Sequence, residues 1–219
     1  ELRLLLCGIL YRTPDKSNWS EYPNIDHEVG NLIEDLEWFE VYDFIERLAE
    51  RALYKGADFS GEVNGYFRVA GVGWQLVDQR VQVRGSEAFE MAVQQGQAEL
   101  TRQSRSTAAG ELHEALQDLS RRPQPEISGA IQHAMAALEC VARDVVGSKD
   151  TLGQLIQRNA GLFPKPVDQI VEKAWAYSSN FGRHLVEGMP PNFEEAELMV
   201  GVSGVLCRYL TRRASSFNR

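Results

Sequence analysis

The feature that most constrains this chain is a helical beat punctuated by proline. From Ile131 onward, apolar residues recur at i, i+3, i+4 and i+7: Ile131, Ala134, Met135, Leu138, Val141, Ala142 and Val145 form one stripe. Val167, Ile170, Val171, Ala174, Tyr177 and Phe181 form a second, and Ala196, Met199, Ser203, Leu206 and Leu210 a third. Pro123 and Pro125 precede the first stripe, Pro164 and Pro166 the second, and Pro190 and Pro191 the third. Proline is tolerated where a helix starts and not inside one, so these are boundaries. Thr151 with Gln154, and Asn192 with Glu195, have the spacing of capping boxes. Gly147 is placed to end the first of these helices. Short connections favour antiparallel neighbours, and the pattern predicts a compact bundle.

The first half mixes signals. Residues 12–30 are rich in Pro, Asp, Asn and Ser and read as a loop or linker. Trp38, Val41, Tyr42, Ile45, Leu48, Ala49 and Ala52 then make a helical stripe that Gly56 would stop. A short amphipathic segment follows at about 59–69. Trp74, Leu76, Val81 and Val83 alternate with Gln75, Gln82 and Arg84, which predicts a hairpin turning at Asp78-Gln79. Ser86 can cap a helix carrying Phe89, Ala92, Val93, Gly96 and Leu100, and a polar hinge at 102–106 leads to another carrying Ala108, Leu112, Ala115, Leu116 and Leu119. The expected fold is therefore mainly α, a helical bundle preceded by a small helical domain with one β-hairpin at about 73–84. The expected organisation is an N-terminal segment and acidic linker at 1–37, a domain at 38–106, a helical domain at 107–213 and a tail at 214–219.

Composition narrows the class. The formal net charge is −8, unlike a protein that coats nucleic acid. Its distribution is uneven. Residues 21–50 hold ten acids against Arg47 alone, a local charge of −9 that leaves +1 for the rest. The chain's end is basic, with Arg208, Arg212, Arg213 and Arg219 and no acid after Glu197. No apolar run is long enough to cross a bilayer, so no membrane association is expected. The run Leu4–Leu10 lacks the basic leader and cleavage site of a signal peptide, and a cytoplasmic location is expected. Cys7, Cys140 and Cys207 are odd in number and form no C-x-x-C pair, which argues against disulfides and a zinc site and for buried thiols. No cofactor is expected, because phosphate loops, metal-spaced His/Cys clusters and nucleophile elbows are missing from the sequence.

Two polar groupings remain. Glu139 and Arg143 stand i, i+4 on one helix and can pair, either as a structural salt bridge or as a charged patch that positions substrate. Asn180-Phe181-Gly182-Arg183-His184 sets a phosphate-binding guanidinium beside a group that titrates near neutrality. Helix neighbours point about 100° apart, so a shared site needs a local break, which Gly182 can supply. His113 and His133 read as surface or interface residues.

Several stretches carry a resemblance. They are Gly129–Arg143, Thr151-Leu152-Gly153, Ala176-Tyr177-Ser178, Gly182-Arg183-His184 and Phe193–Met199, with Val41–Glu46 and Gly73–Asp78 upstream. Over roughly Trp38 to Leu210 the chain resembles AbiJ-like abortive-infection proteins, the later stretches resembling their C-terminal HEPN-like domain. The resemblance implies an anti-phage setting. It also implies a metal-independent ribonuclease working as a homodimer on RNA, with Arg183 and His184 catalytic and a 2′,3′-cyclic phosphate product. The family's motif separates its Arg and His by a few residues, whereas here they are adjacent. The alternative is a non-catalytic HEPN-like module that dimerises or holds a protein partner of a defence system.

Overall fold

A computed structural model describes residues 1–51, 58–183 and 190–217. It is mainly helical with one two-stranded antiparallel hairpin, as the periodicity predicts. The described chain falls into two compact units, residues 1–82 and 83–219.

The N-terminal unit holds α1 (Leu2–Ile9), α2 (Asp26–Glu34), α3 (Trp38–Ala49), α4 (Phe59–Val69), β1 (Trp74–Val77) and most of β2 (Arg80–Val83). The segment 1–37 thus contributes two helices, and the second begins inside the stretch 12–30 that reads as loop. Leu6 and Cys7 of α1 bury against Leu32, with Val29, Leu36 and Phe44 alongside. Asp26 and Glu28 sit in the first turn of α2, where acids suit the helix dipole. Glu28 also ties down the intervening loop. It accepts from Arg3 Nη1 at 3.1 Å, Asn18 Nδ2 at 2.9 Å and the Asp15 backbone N–H at 2.9 Å. The last of these most strongly holds its carboxyl below the ordinary glutamate range.

A second small core forms around Phe67, Leu76 and Val81, edged by Tyr42, Ile45 and Trp74. The hairpin turns at Asp78 and Gln79 with φ of 48° and 67°, the left-handed pair that a tight two-residue turn requires. Neither residue is glycine, so side chains elsewhere brace the hairpin. Asn64 accepts from Leu76 N at 2.7 Å and donates to Leu76 O at 2.9 Å, while Glu46 accepts from Val81 N at 2.8 Å. Gln75 and Gln82, the polar residues of the alternation, are themselves buried.

The C-terminal unit contains α5 (Glu87–Arg102), α6 (Ser106–Leu119), α7 (Ile127–Val146), α8 (Leu152–Arg158), α9 (Val167–Arg183) and α10 (Phe193–Phe217). Ser86 caps α5 by accepting from Phe89 N, and Thr151 with Gln154 boxes α8. Gly147 ends α7 at φ 71°. One continuous core joins Val93, Leu100, Leu112, Ile131, Leu138, Leu155, Val171 and Leu210. Helix α5, grouped by the sequence with the N-terminal domain, belongs to this unit, because it packs closely on α10. At Gly96 an added Cβ would lie 2.8 Å from Gly204 O. Of the stripe read on α9, Val171 is buried and Val167, Ala174 and Tyr177 pack against the core, but Ile170 is 63% exposed. No helix among the described residues is long and apolar enough to cross a membrane.

Candidate functional site

Glu139 and Arg143 pair as their spacing predicts, with Arg143 Nη2 2.7 Å from Glu139 Oε1. Each also bonds a backbone group. Arg143 Nε donates to Asp150 O at 2.8 Å. Leu152 N, in the first turn of α8, donates to Glu139 Oε2 at 2.8 Å. A carboxylate on an otherwise orphaned first-turn N–H satisfies that donor and complements the helix dipole. Arg158 adds a 2.7 Å bridge to Asp150 from the far end of α8. The pair therefore links α7 to the 147–151 connection and to the start of α8.

Glu139 also borders a groove of about 290 Å³ between α7 and α9, with Gln132, Met135, Trp175 and Ser179. Gly153 lets the Trp175 ring lie against α8: a Cβ there would sit 2.8 Å from the ring. Ser179 precedes Arg183 by four residues, about 6 Å along the helix axis. Arg183 is the last residue of α9. Its side chain and the whole of His184 lie outside the described residues, as do the side chains of Asn180, Phe181 and Gly182. The structure thus brings Glu139 and Arg143 together and describes a groove on the helix that leads to Arg183.

Two polar groupings had no short-range signal in the sequence. His133 Nδ1 lies 2.8 Å from Glu111 Oε2, and its Nε2 lies 3.8 Å from Asp118 Oδ2. Asp118 is buried, and burial pushes its carboxyl up despite Arg121 at 2.8 Å. These residues lie on α6, α7 and their connection, so only packing joins them. The second grouping sets Arg105 and Asp144 beside Arg213 in one cleft. Arg105 and Asp144 are 39 positions apart, and their 2.8 Å contact is invisible to spacing rules.

The cysteines behave as packing residues. Cys7 and Cys207 are buried and Cys140 half-buried, all as free thiols. Burial pushes all three thiols up, Cys207 most of all. A thiol held protonated is a poor nucleophile and metal ligand. Among the described residues, no group of three or more His, Cys, Asp or Glu is arranged to hold a metal ion.

No curated protein and no solved structure matches the chain. Residues 1–97, which span the whole N-terminal unit and the first part of α5, match the family model of AbiJ N-terminal domain 4, so this part of the chain is similar to the N-terminal domain of AbiJ-like proteins.

Proposed function

We propose that this chain is an anti-phage protein of the abortive-infection class whose C-terminal helical unit is HEPN-like and cleaves RNA without a metal ion. The observation that carries the reading is the AbiJ N-terminal match over residues 1–97. In the proposed reaction a ribose 2′-hydroxyl attacks the adjacent phosphorus and the 5′-oxygen of the next nucleotide leaves. A 2′,3′-cyclic phosphate remains on one fragment. His184 takes the 2′ proton or supplies one to the leaving oxygen, and Arg183 stabilises the charge that builds on the phosphoryl oxygens. A homodimer in the cytoplasm would set two such sites along one RNA strand.

A second reading has a specific observation behind it. Arg143 is engaged by a backbone carbonyl of the 147–151 connection and Glu139 by the first backbone N–H of α8, which fits a scaffold that dimerises or holds a defence-system partner. Incubating the full chain with total RNA in EDTA separates the two. Cyclic-phosphate ends that vanish in Arg183→Ala and His184→Ala proteins support cleavage. Intact RNA at every protein level, with harmless expression in cells, discards it and leaves the scaffold.

A further inference from the structure

The start of α6, the end of α7, the α8–α9 connection and the last turns of α10 surround a concave cleft of about 580 Å³. Clefts of roughly 300–1,000 Å³ are the size that takes small molecules. One side is apolar, with the half-buried Val145 and Val146 backed by the core residues Leu162 and Leu210. The other carries Arg105, Asp144, Asn159 and Arg213.

The two arginines are held in different ways. The Arg105 side chain is only 16% exposed, yet its Nε and Nη2 both reach the same oxygen of Asp144, at 2.8 Å. Asp144 is itself 61% exposed, so water shares the carboxylate while the guanidinium is largely withdrawn from it. Arg213 is oriented by an aromatic group instead. Its Nη1 donates to Tyr209 Oη at 2.6 Å, and its guanidinium carbon lies 5.9 Å from the Tyr209 ring centroid. That ring stacks on the buried Phe163 at 6.0 Å. Asn159 donates from Nδ2 to Leu155 O at 2.8 Å, which orients the amide and leaves Oδ1 as an acceptor. The cleft thus concentrates two guanidiniums against one carboxylate in a chain of net charge −8. Planar guanidinium forks suit phosphate oxygens, and the adjoining apolar wall suits a flat ring.

We propose that this cleft binds a nucleoside monophosphate. Arg105 and Arg213 hold the phosphate, Val145 and Val146 cover the base and sugar, and Asn159 reads a donor on the base edge. Asp144 is the selectivity element: it weakens phosphate binding by competing for Arg105. The proposal does not rest on the ribonuclease reading, because it uses neither Arg183 nor His184.

Calorimetric titration of the full chain at low salt tests it, with the four nucleoside 5′-monophosphates, the free nucleosides, inorganic phosphate and a short RNA oligonucleotide as probes. At least one monophosphate is expected to bind about tenfold or more tightly than its nucleoside and than inorganic phosphate. Arg213→Gln should lose about tenfold. Asp144→Asn should gain several-fold, an effect that misfolding cannot imitate. The Arg183→Ala, His184→Ala protein should bind as the parent does, which separates failure of this site from failure of the nuclease. Nucleosides binding as well as their monophosphates, no monophosphate binding at millimolar concentration, binding of short RNA alone, or Asp144→Asn binding no tighter would each overturn the proposal.

Discussion

The two units solve the problem of burial differently. The C-terminal unit has one core running through α5, α6, α7 and α10 and reaching α8 and α9, with Leu112, Ile131 and Leu138 fully enclosed. The N-terminal unit has two separate small cores, one around Leu6 and Leu32 and one around Phe67 and Leu76. Small cores bury a smaller share of their surface and supply less hydrophobic stabilisation. In the N-terminal unit, side-chain bonds to loops and strands supplement that deficit: Glu28 to the 15–18 loop, Asn64 to Leu76, Glu46 to Val81. The contrast teaches that the first unit depends on polar geometry and the second on continuous packing. Its sharpest consequence is that each unit should be most sensitive to a different kind of substitution.

The largest expected effect is in the continuous core. Leu138→Ala on α7 removes a fully buried side chain from its middle, and such truncations cost about 2–5 kcal/mol. Urea unfolding followed by Trp175 fluorescence, in a background with Trp19, Trp38 and Trp74 replaced by Phe, reads it, since Trp175 packs within the same unit. A cost under about 1 kcal/mol would break the idea of one tight core there. Next comes Asn64→Ala, which leaves both the N–H and the C=O of Leu76 without their side-chain partner. Losing buried partners of this kind costs about 1–3 kcal/mol. Its signature is the near-ultraviolet dichroism of the Trp38, Tyr42 and Trp74 rings, which lie 5.2 to 6.5 Å apart and should lose order at lower urea than in the parent. Unchanged ring dichroism with a shifted Trp175 signal would invert the comparison.

How legible this was in the sequence follows the same divide. Packing against one broad core rewards a strict 3.6-residue period, so the stripes through Phe89, Leu112, Ile131 and Leu138 read directly as helices. Where a core is small, the period is short and noisy. Leu2–Ile9 offers barely two turns and carries no helix reading, while Asp26–Glu34 buries Leu32 and little else, so the composition of 12–30 points to loop where α2 begins. Ile170 misled because its spacing fits the stripe, yet it sits at the edge of the face that Val167, Val171 and Ala174 pack on the core. Of the polar groups, only Glu139–Arg143 was local enough to see. The backbone partners that give that pair its structural role, Asp150 and Leu152, became visible only once α8 was folded back on α7. Arg105–Asp144 and His133–Glu111 join different elements, and no spacing rule reaches them.

The smallest effect expected concerns a polar link inside the well-packed unit. Glu99 on α5 is buried and bonded to Arg102 and, at 3.4 Å, to Arg212 of α10. The Arg102 hydrogen bond is the main force holding its carboxyl below the ordinary glutamate range. A carboxyl lowered on folding stabilises the fold fully above its unfolded value of about 4.3, and that stabilisation fades as pH falls through the lower folded value. Glu99→Gln keeps the shape and removes the charge, so it should cost about 1 kcal/mol at pH 7 and progressively less below about pH 4. Asp118 in the same unit has the opposite sign. Burial raises its carboxyl, so its charged form weakens the fold once pH climbs past the raised value, and Asp118→Asn should relieve that. Urea midpoints of the parent and both variants at pH 3.5 and 7 separate the two slopes. If the Glu99→Gln penalty at pH 7 exceeded that of Asn64→Ala, polar geometry would matter as much in the C-terminal unit as in the N-terminal one, and the contrast between the two would fail.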